Sequence, residues 1–157
     1  GIPYLSSGHI FREMSKEKTS WGRYVKETLN AGFLIPDDKT ILIVEEYLKK
    51  PEYTKGYILD GFPRTVPQAH SFHNGVDKVI YLKVSDKEAL WRLSSRNEEG
   101  VREDNTLQAL RKRIQLFHDV TKPVLEHYRQ KGHLLEVDGE KPIAEVTKQI
   151  LDGLNVK

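Results

Sequence analysis

An α/β fold, a parallel sheet flanked by helices, is predicted for this 157-residue chain by three observations. Short apolar runs of strand length alternate with longer stretches of helical pattern. One of those runs, Tyr57 to Leu59, is continuously apolar and ends on a charge at Asp60, as expected of a parallel strand covered on both faces. No internal repeat or low-complexity linker divides the chain. Its length suits a single domain, because a chain of this size buries roughly two-thirds of its unfolded surface on folding.

The strands are expected at Ile2 to Leu5, Tyr57 to Leu59, Val79 to Val84 and Leu134 to Val137. Helices fill the intervals. Ser7 can cap one running to about Lys18, and Thr19 or Ser20 can cap another that stops at Gly32. Pro36, Asp37 and Asp38 open a third, which ends before Pro51. Asp86 can cap a helix reaching about Arg96. A long helical stretch runs from about Asp104 to Lys131, kinked at Pro123 and closed by Gly132. The last helix spans about Pro142 to Leu154.

Composition removes several classes of function. Charged residues make up 31% of the chain and hydrophobic ones 38%, ordinary for a soluble domain, and a net charge of +2 gives no argument for nucleic acid. Any basic site must be local. With no cysteine, disulfides and thiolate metal sites are excluded, so no structural zinc is expected. No apolar run approaches a membrane span and no signal-peptide pattern opens the sequence, which makes the cytoplasm the default location. His70 and His73 are three apart but lack a third ligand nearby, so they read as a solvated helix face.

The chemistry concentrates where strands end. After Asp60, Gly61 and Pro63 force a turn at the strand's carboxyl end, the place where open α/β sheets hold ligands. Arg64 offers a planar fork suited to phosphate, and Gln68 offers a donor and an acceptor suited to a base edge. Asp60 could orient metal-bound water. Near the start, Ser6, Ser7 and Gly8 stand between a strand and a helix, with Arg12 one turn on; this can cradle an anion, or the serines can be plain caps.

The whole string GYILDGFPRTVPQ, Gly56 to Gln68, resembles the adenylate kinase signature within the nucleoside monophosphate kinase family: an apolar triplet, D-G-[FY]-P-R, then Gln four residues after the Arg. LSSGHIFR is similar to the family's S-T-G-D-x-x-R, with Ser7 in the place of Thr and Arg12 in that of the arginine on the acceptor phosphate. His9 departs from the usual Asp, which leaves Asp60 to hold water around Mg2+. AGFLIPD resembles the turn that surrounds the acceptor base, so Ile35 and Gln68 would share the adenine, the Gln amide answering its N6 donor and N1 acceptor. The resemblance thus implies AMP binding by Ser7, Arg12, Ile35, Arg64 and Gln68, with residues 7–37 forming the monophosphate-binding helices.

Five arginines fall between Arg92 and Arg113. From pattern alone they read either as an anion site or as a salt-bridge network with Glu98, Glu99, Glu103 and Asp104. The family resemblance implies the former. Arg96 would begin a short lid at 97–103, Arg102 and Asp104 would end it, and Arg113 would stand near both donor and acceptor phosphates. Arg96, Arg102, Asp104 and Arg113 are therefore the implied catalytic set, with Arg102 and Arg113 also on AMP. Arg92, Arg96, Gly139, Lys141 and Pro142 would serve ATP. The implied cofactor is Mg2+ with ATP, and the implied partners are ATP, AMP and ADP, with neither nucleic acid nor membrane.

No G-x-x-x-x-G-K-[ST] P-loop occurs: none of the eleven glycines precedes a lysine. GIPYLSSG resembles the family just after its first strand, P-loop and first helix. The expected strand order is then 2-3-gap-4-5, with the central strand absent. Three expectations follow: a piece of a kinase that transfers phosphoryl from ATP to AMP, a monomer or a chain needing a complementary N-terminal segment, or a nucleotide-binding module without turnover. A UMP/CMP kinase is the further alternative, disfavoured by Ser7 and Gln68.

Overall fold

The computed structural model describes residues 1–72, 75–95 and 106–155. Its elements are β1 (Tyr4–Ser6), α1 (Ser7–Met14), α2 (Ser20–Asn30), α3 (Asp37–Leu48), β2 (Ile58–Asp60), α4 (Val66–Ser71), β3 (Val79–Lys83), α5 (Asp86–Ser94), α6 (Leu107–Leu116), α7 (Lys122–Gln130), β4 (Leu134–Asp138) and α8 (Ile143–Gly153). The fold is α/β with parallel pairing throughout the described strands. β1 pairs with β2 in the register Tyr4–Ile58 to Ser6–Asp60, and β3 with β4 from Val79–Leu134 to Lys83–Asp138. The two pairs are separate sheets among the described residues, so the gap expected between the strand ending at Asp60 and the strand beginning at Val79 falls between β2 and β3.

Helix starts follow side-chain capping. Ser6, not Ser7, caps α1: its Oγ accepts from the His9 N–H at 3.3 Å, while Ser7 is already helical, buried, and donates to the Asp60 carbonyl at 3.3 Å. Ser85, not Asp86, caps α5 by accepting from the Glu88 N–H. In both cases the serine one position earlier has the extended backbone that lets its oxygen reach the third N–H of the helix. Thr19 caps α2 as expected.

The long helical stretch is also divided. α6 passes into a π-helical turn at Phe117–Thr121 and then into α7, whose second residue is Pro123. Proline has no N–H to continue the ladder, and the wider turn absorbs that break without ending the helix. Helix α4 was expected only as a solvated helix face bearing His70 and His73; His70 is exposed on it and His73 lies outside the described residues. Thr65 caps the helix and Pro67 sits in its first turn, where a missing N–H costs nothing.

The core lies in three clusters. Leu5, Ile10, Val44, Leu48, Tyr53, Phe62 and Phe72 pack β1 and β2 against α1, α3 and α4. Phe11, Val25 and Ile35 join α1, α2 and the 31–36 connection. Ala69, Val124 and Tyr128, with Val79 and Leu134, bring α4 and α7 together beside the second sheet. The expectation that the Tyr57–Leu59 strand is covered on both faces is corrected: Ile58 is 52% exposed, as are Ile80 and Leu82 of β3 at 40% and 46%. No described ladder joins β2 to β3, so the faces and edges between the two pairs keep contact with water. No described helix is long and apolar enough to cross a membrane.

Candidate nucleotide site

At the carboxyl ends of β1 and β2 the chain turns sharply, and the turn is set by backbone sterics. Gly61 adopts φ +81°, and the Phe62–Pro63 bond is cis. A Cβ on Gly61 would lie 2.6 Å from Ser7 Oγ and 3.0 Å from an Arg64 guanidinium nitrogen. Only glycine fits both the dihedral and the space. The close approach brings Arg64 back over its own turn, where its Nε donates to the Gly61 carbonyl at 2.8 Å. Arg12, one helical turn into α1, crosses Gly8 in the same way, 3.1 Å from where a Cβ would stand.

These two arginines meet a third from the other half of the molecule. Arg12, Arg64 and Arg113 line one cavity of about 430 Å3, together with Phe33 and Leu34 on one side and Tyr81, Val84, Ile114 and Phe117 on the other. The Arg64 residue keeps solvent contact, yet its guanidinium is packed closely enough for lost hydration to lower its pKa from the usual arginine value. Asp60 opposes that shift, while Arg113 and Arg12 reinforce it by repulsion. Three guanidinium groups sharing one partly dehydrated cavity make a strong anion site, because each further anionic oxygen removes repulsion as well as adding hydrogen bonds.

A second, smaller cavity of about 50 Å3 adjoins the first and shares Gly8, Arg64, Phe33 and Leu34 with it. Ser7, Ile35 and Gln68 line it. Gln68 is 2% exposed, and both ends of its amide are engaged. Its Nε2 donates to Asp37 Oδ1 at 2.9 Å, and the Arg64 N–H donates to its Oε1 at 2.8 Å. The Thr65 hydroxyl donates to the same Asp37 oxygen at 2.8 Å.

Asp60 stands at the exit of β2, exposed, and lines neither cavity. The Tyr4 hydroxyl donates to its Oδ2 at 2.6 Å, and this bond, then burial, then the carboxylate's charge raise the Tyr4 pKa. Parallel pairing with Tyr4 opposite Ile58 and Ser6 opposite Asp60 puts all four on one face of the sheet.

Of the expected donor-side residues, Arg92 and Gly139 are bonded to each other where β3 and β4 end. Arg92 donates through its terminal nitrogen to the Gly139 carbonyl at 2.9 Å and through Nε to Glu88 at 2.5 Å. Gly139 N–H donates to the Lys83 carbonyl, and Ser85 N–H to Glu140, so the ends of β3 and β4 are tied together. Lys141 and Pro142 follow at the exposed entrance to α8. Arg92 and Gly139 do not line the arginine cavity. The remaining expected residues, Arg96, Arg102 and Asp104 with the lid at 97–103, lie outside the described residues.

The sequence pattern missed Tyr4 and Asp37. Asp37 stood out only as a helix opener, since its bond to Gln68 crosses 31 residues of chain. Tyr4 could have been found by anyone who knew the strand register, which the sequence does not state.

The family model described as adenylate kinase matches residues 1–133. Curated relatives agree along nearly the whole chain. The adenylate kinase of Caldicellulosiruptor saccharolyticus is 33% identical over an alignment of 191 positions, covering all of this chain and 89% of the relative. That of Desulfitobacterium hafniense is 35% identical, covering 98% and 86%, and that of a Cyanothece species 37%, covering 95% and 80%. An arginine-lined cavity beside a buried, oriented amide is thus found in a chain that a family model and these relatives match, and the chain belongs to the adenylate kinase family.

Proposed function

We propose that this chain binds AMP with its phosphate among Arg12, Arg64 and Arg113 and its base against Ser7, Ile35 and Gln68, as the acceptor half of a reversible phosphoryl transfer from ATP that gives two ADP. The observation that carries the reading is the meeting of three guanidinium groups on one cavity next to the cavity that Gln68 lines. Phosphoryl transfer asks the protein mainly for position and for neutralisation of charge. Arg12 and Arg64 hold the acceptor phosphate, and Arg113, coming from α6, reaches the same cavity from the donor side. Arg92, Gly139, Lys141 and Pro142 hold the donor base at the corner where β3 and β4 end. Arg96, Arg102 and Asp104 are assigned to closure over the reacting phosphates.

Mg2+ bound with ATP would supply neutralisation of charge on the transferring group. Asp60 suits a water-mediated role toward it: the carboxylate is exposed at the strand's end, and Tyr4 takes only one of its several lone-pair directions. The nucleotides ATP, AMP and ADP are the proposed partners, and the cytoplasm is the proposed location.

The test has two parts. AMP titrated into the chain by calorimetry should bind, and Arg64→Ala should weaken it by on the order of tenfold to a hundredfold, the worth of a charge-assisted hydrogen-bonded contact. A coupled ATP plus AMP assay is then run on this chain and on the chain extended by a strand, a G-x-x-x-x-G-K-[ST] loop and a helix. Turnover only after extension supports the reading. AMP binding with no turnover in either form would instead favour a binding module, the alternative raised by the missing P-loop motif.

A further inference from the structure

Gln68 is bonded at both ends of its amide by groups that fix its direction. A carboxylate at neutral pH only accepts, so Asp37 Oδ1 requires the amide nitrogen at 2.9 Å, and a backbone N–H only donates, so Arg64 requires the amide oxygen at 2.8 Å. Turning the amide over would set oxygen against oxygen at Asp37 and N–H against N–H at Arg64. The neighbourhood reinforces the arrangement. Thr65 donates its hydroxyl to the same Asp37 oxygen at 2.8 Å and accepts the Gln68 N–H at 3.2 Å, so the carboxylate is itself held. Gln68 is 2% exposed, leaving no water to take over either bond.

The direction of an amide matters to a purine. A 6-aminopurine presents a donor at N6 and an acceptor at N1, whereas a 6-oxopurine presents an acceptor at O6 and a donor at N1. A freely turning glutamine answers both patterns by rotating through a half-turn; a fixed one answers only one.

We propose that Asp37 is a specificity-determining positioning residue, which by locking the Gln68 amide makes the small cavity select 6-amino over 6-oxo purine monophosphates. The inference rests on the reading of Gln68 as the residue that meets the acceptor base. Asp37 touches no substrate in this account and acts only through Gln68.

The experiment compares the dissociation constants of AMP and IMP, which differ at position 6 and not in the sugar or phosphate. They are measured by calorimetry on the chain itself, so that turnover is not needed. The unsubstituted chain is expected to prefer AMP by at least about tenfold, as a site whose polar groups are left mismatched by the wrong base should. In Asp37→Ala the Gln68 amide nitrogen loses its acceptor and only the Arg64 N–H still favours the original direction, so the ratio should fall at least about fivefold as the amide becomes free to turn. Asp38→Asn removes the same charge from the same helix start at an exposed neighbour and should leave the ratio unchanged.

Asp37→Ser, which keeps a hydroxyl at the helix start but is too short to hold the Gln68 amide, replaces the alanine variant if that one fails to fold. Here too the ratio should fall. A folded Asp37 variant with the original ratio would overturn the proposal, as would an equal change in Asp38→Asn, which would mean a general effect of charge. Failure of the unsubstituted chain to bind either nucleotide would overturn the acceptor-site reading itself, and this proposal with it.

Discussion

Arg64 is held by its own turn, with Nε on the Gly61 carbonyl, while its charge faces Arg12 and Arg113. A guanidinium in that position can present two parallel N–H groups to a phosphate, and an ammonium cannot. Arg64→Lys is therefore expected to keep the fold, as judged by the urea midpoint, and still weaken AMP binding by roughly tenfold. Gly61→Ala makes the opposite kind of demand on the same turn. Its Cβ would meet Ser7 Oγ at 2.6 Å in a backbone region that disfavours side chains, so a loss of about 1–3 kcal/mol in urea unfolding is expected, together with weaker AMP binding as Arg64 shifts. At this scale the sequence shows residue types more readily than their partners. Arg12, Arg64 and Gln68 are of types suited to phosphate and a base edge, Ile35 enters only through the family resemblance, and Asp37 and Tyr4 have their bonds only to partners tens of residues away.

Between elements, the contact of α4 with α7 joins the two halves of the molecule, and histidines face each other across it. The rings of His70 and His127 lie 4.8 Å apart, with the edge of Tyr128 5.0 Å from His127, whose Nε2 is buried without a hydrogen-bond partner among the described residues. Burial lowers the His127 pKa, and the positive charges of Lys131 and His70 lower it further. The folded state thus binds a proton there less readily than the unfolded chain does. Stability from this source is complete above the ordinary histidine value of about 6.5 and is lost as the pH falls from there through the lowered folded value. Urea midpoints measured between pH 7.5 and 5 should fall with pH, and His127→Leu should flatten part of that slope. A histidine at this position gives no sign in sequence of what it will face. The bounds of α4 were missing from the expectation of a helix face at His70, because its six residues have a weak pattern and depend on the Thr65 cap and on Ala69 packing against α7.

For the whole molecule, two two-stranded parallel sheets are held in one structure by packing rather than by a shared hydrogen-bond ladder. Val124 is 3% exposed at the centre of that packing, so Val124→Ala should cost about 2 kcal/mol, from the deleted methyl groups and the cavity they leave, and should lower the urea midpoint as a single cooperative transition. The sequence by itself determined the α/β class and all four described strands to within two residues, because strand runs and caps are local properties of the chain. Only the tertiary structure decided which arginines line one cavity, that Arg92 bonds the Gly139 carbonyl, and which way the Gln68 amide points. Those outcomes depend on register and on contacts between distant segments, where burial strips away water and leaves each polar group only the partners the fold supplies.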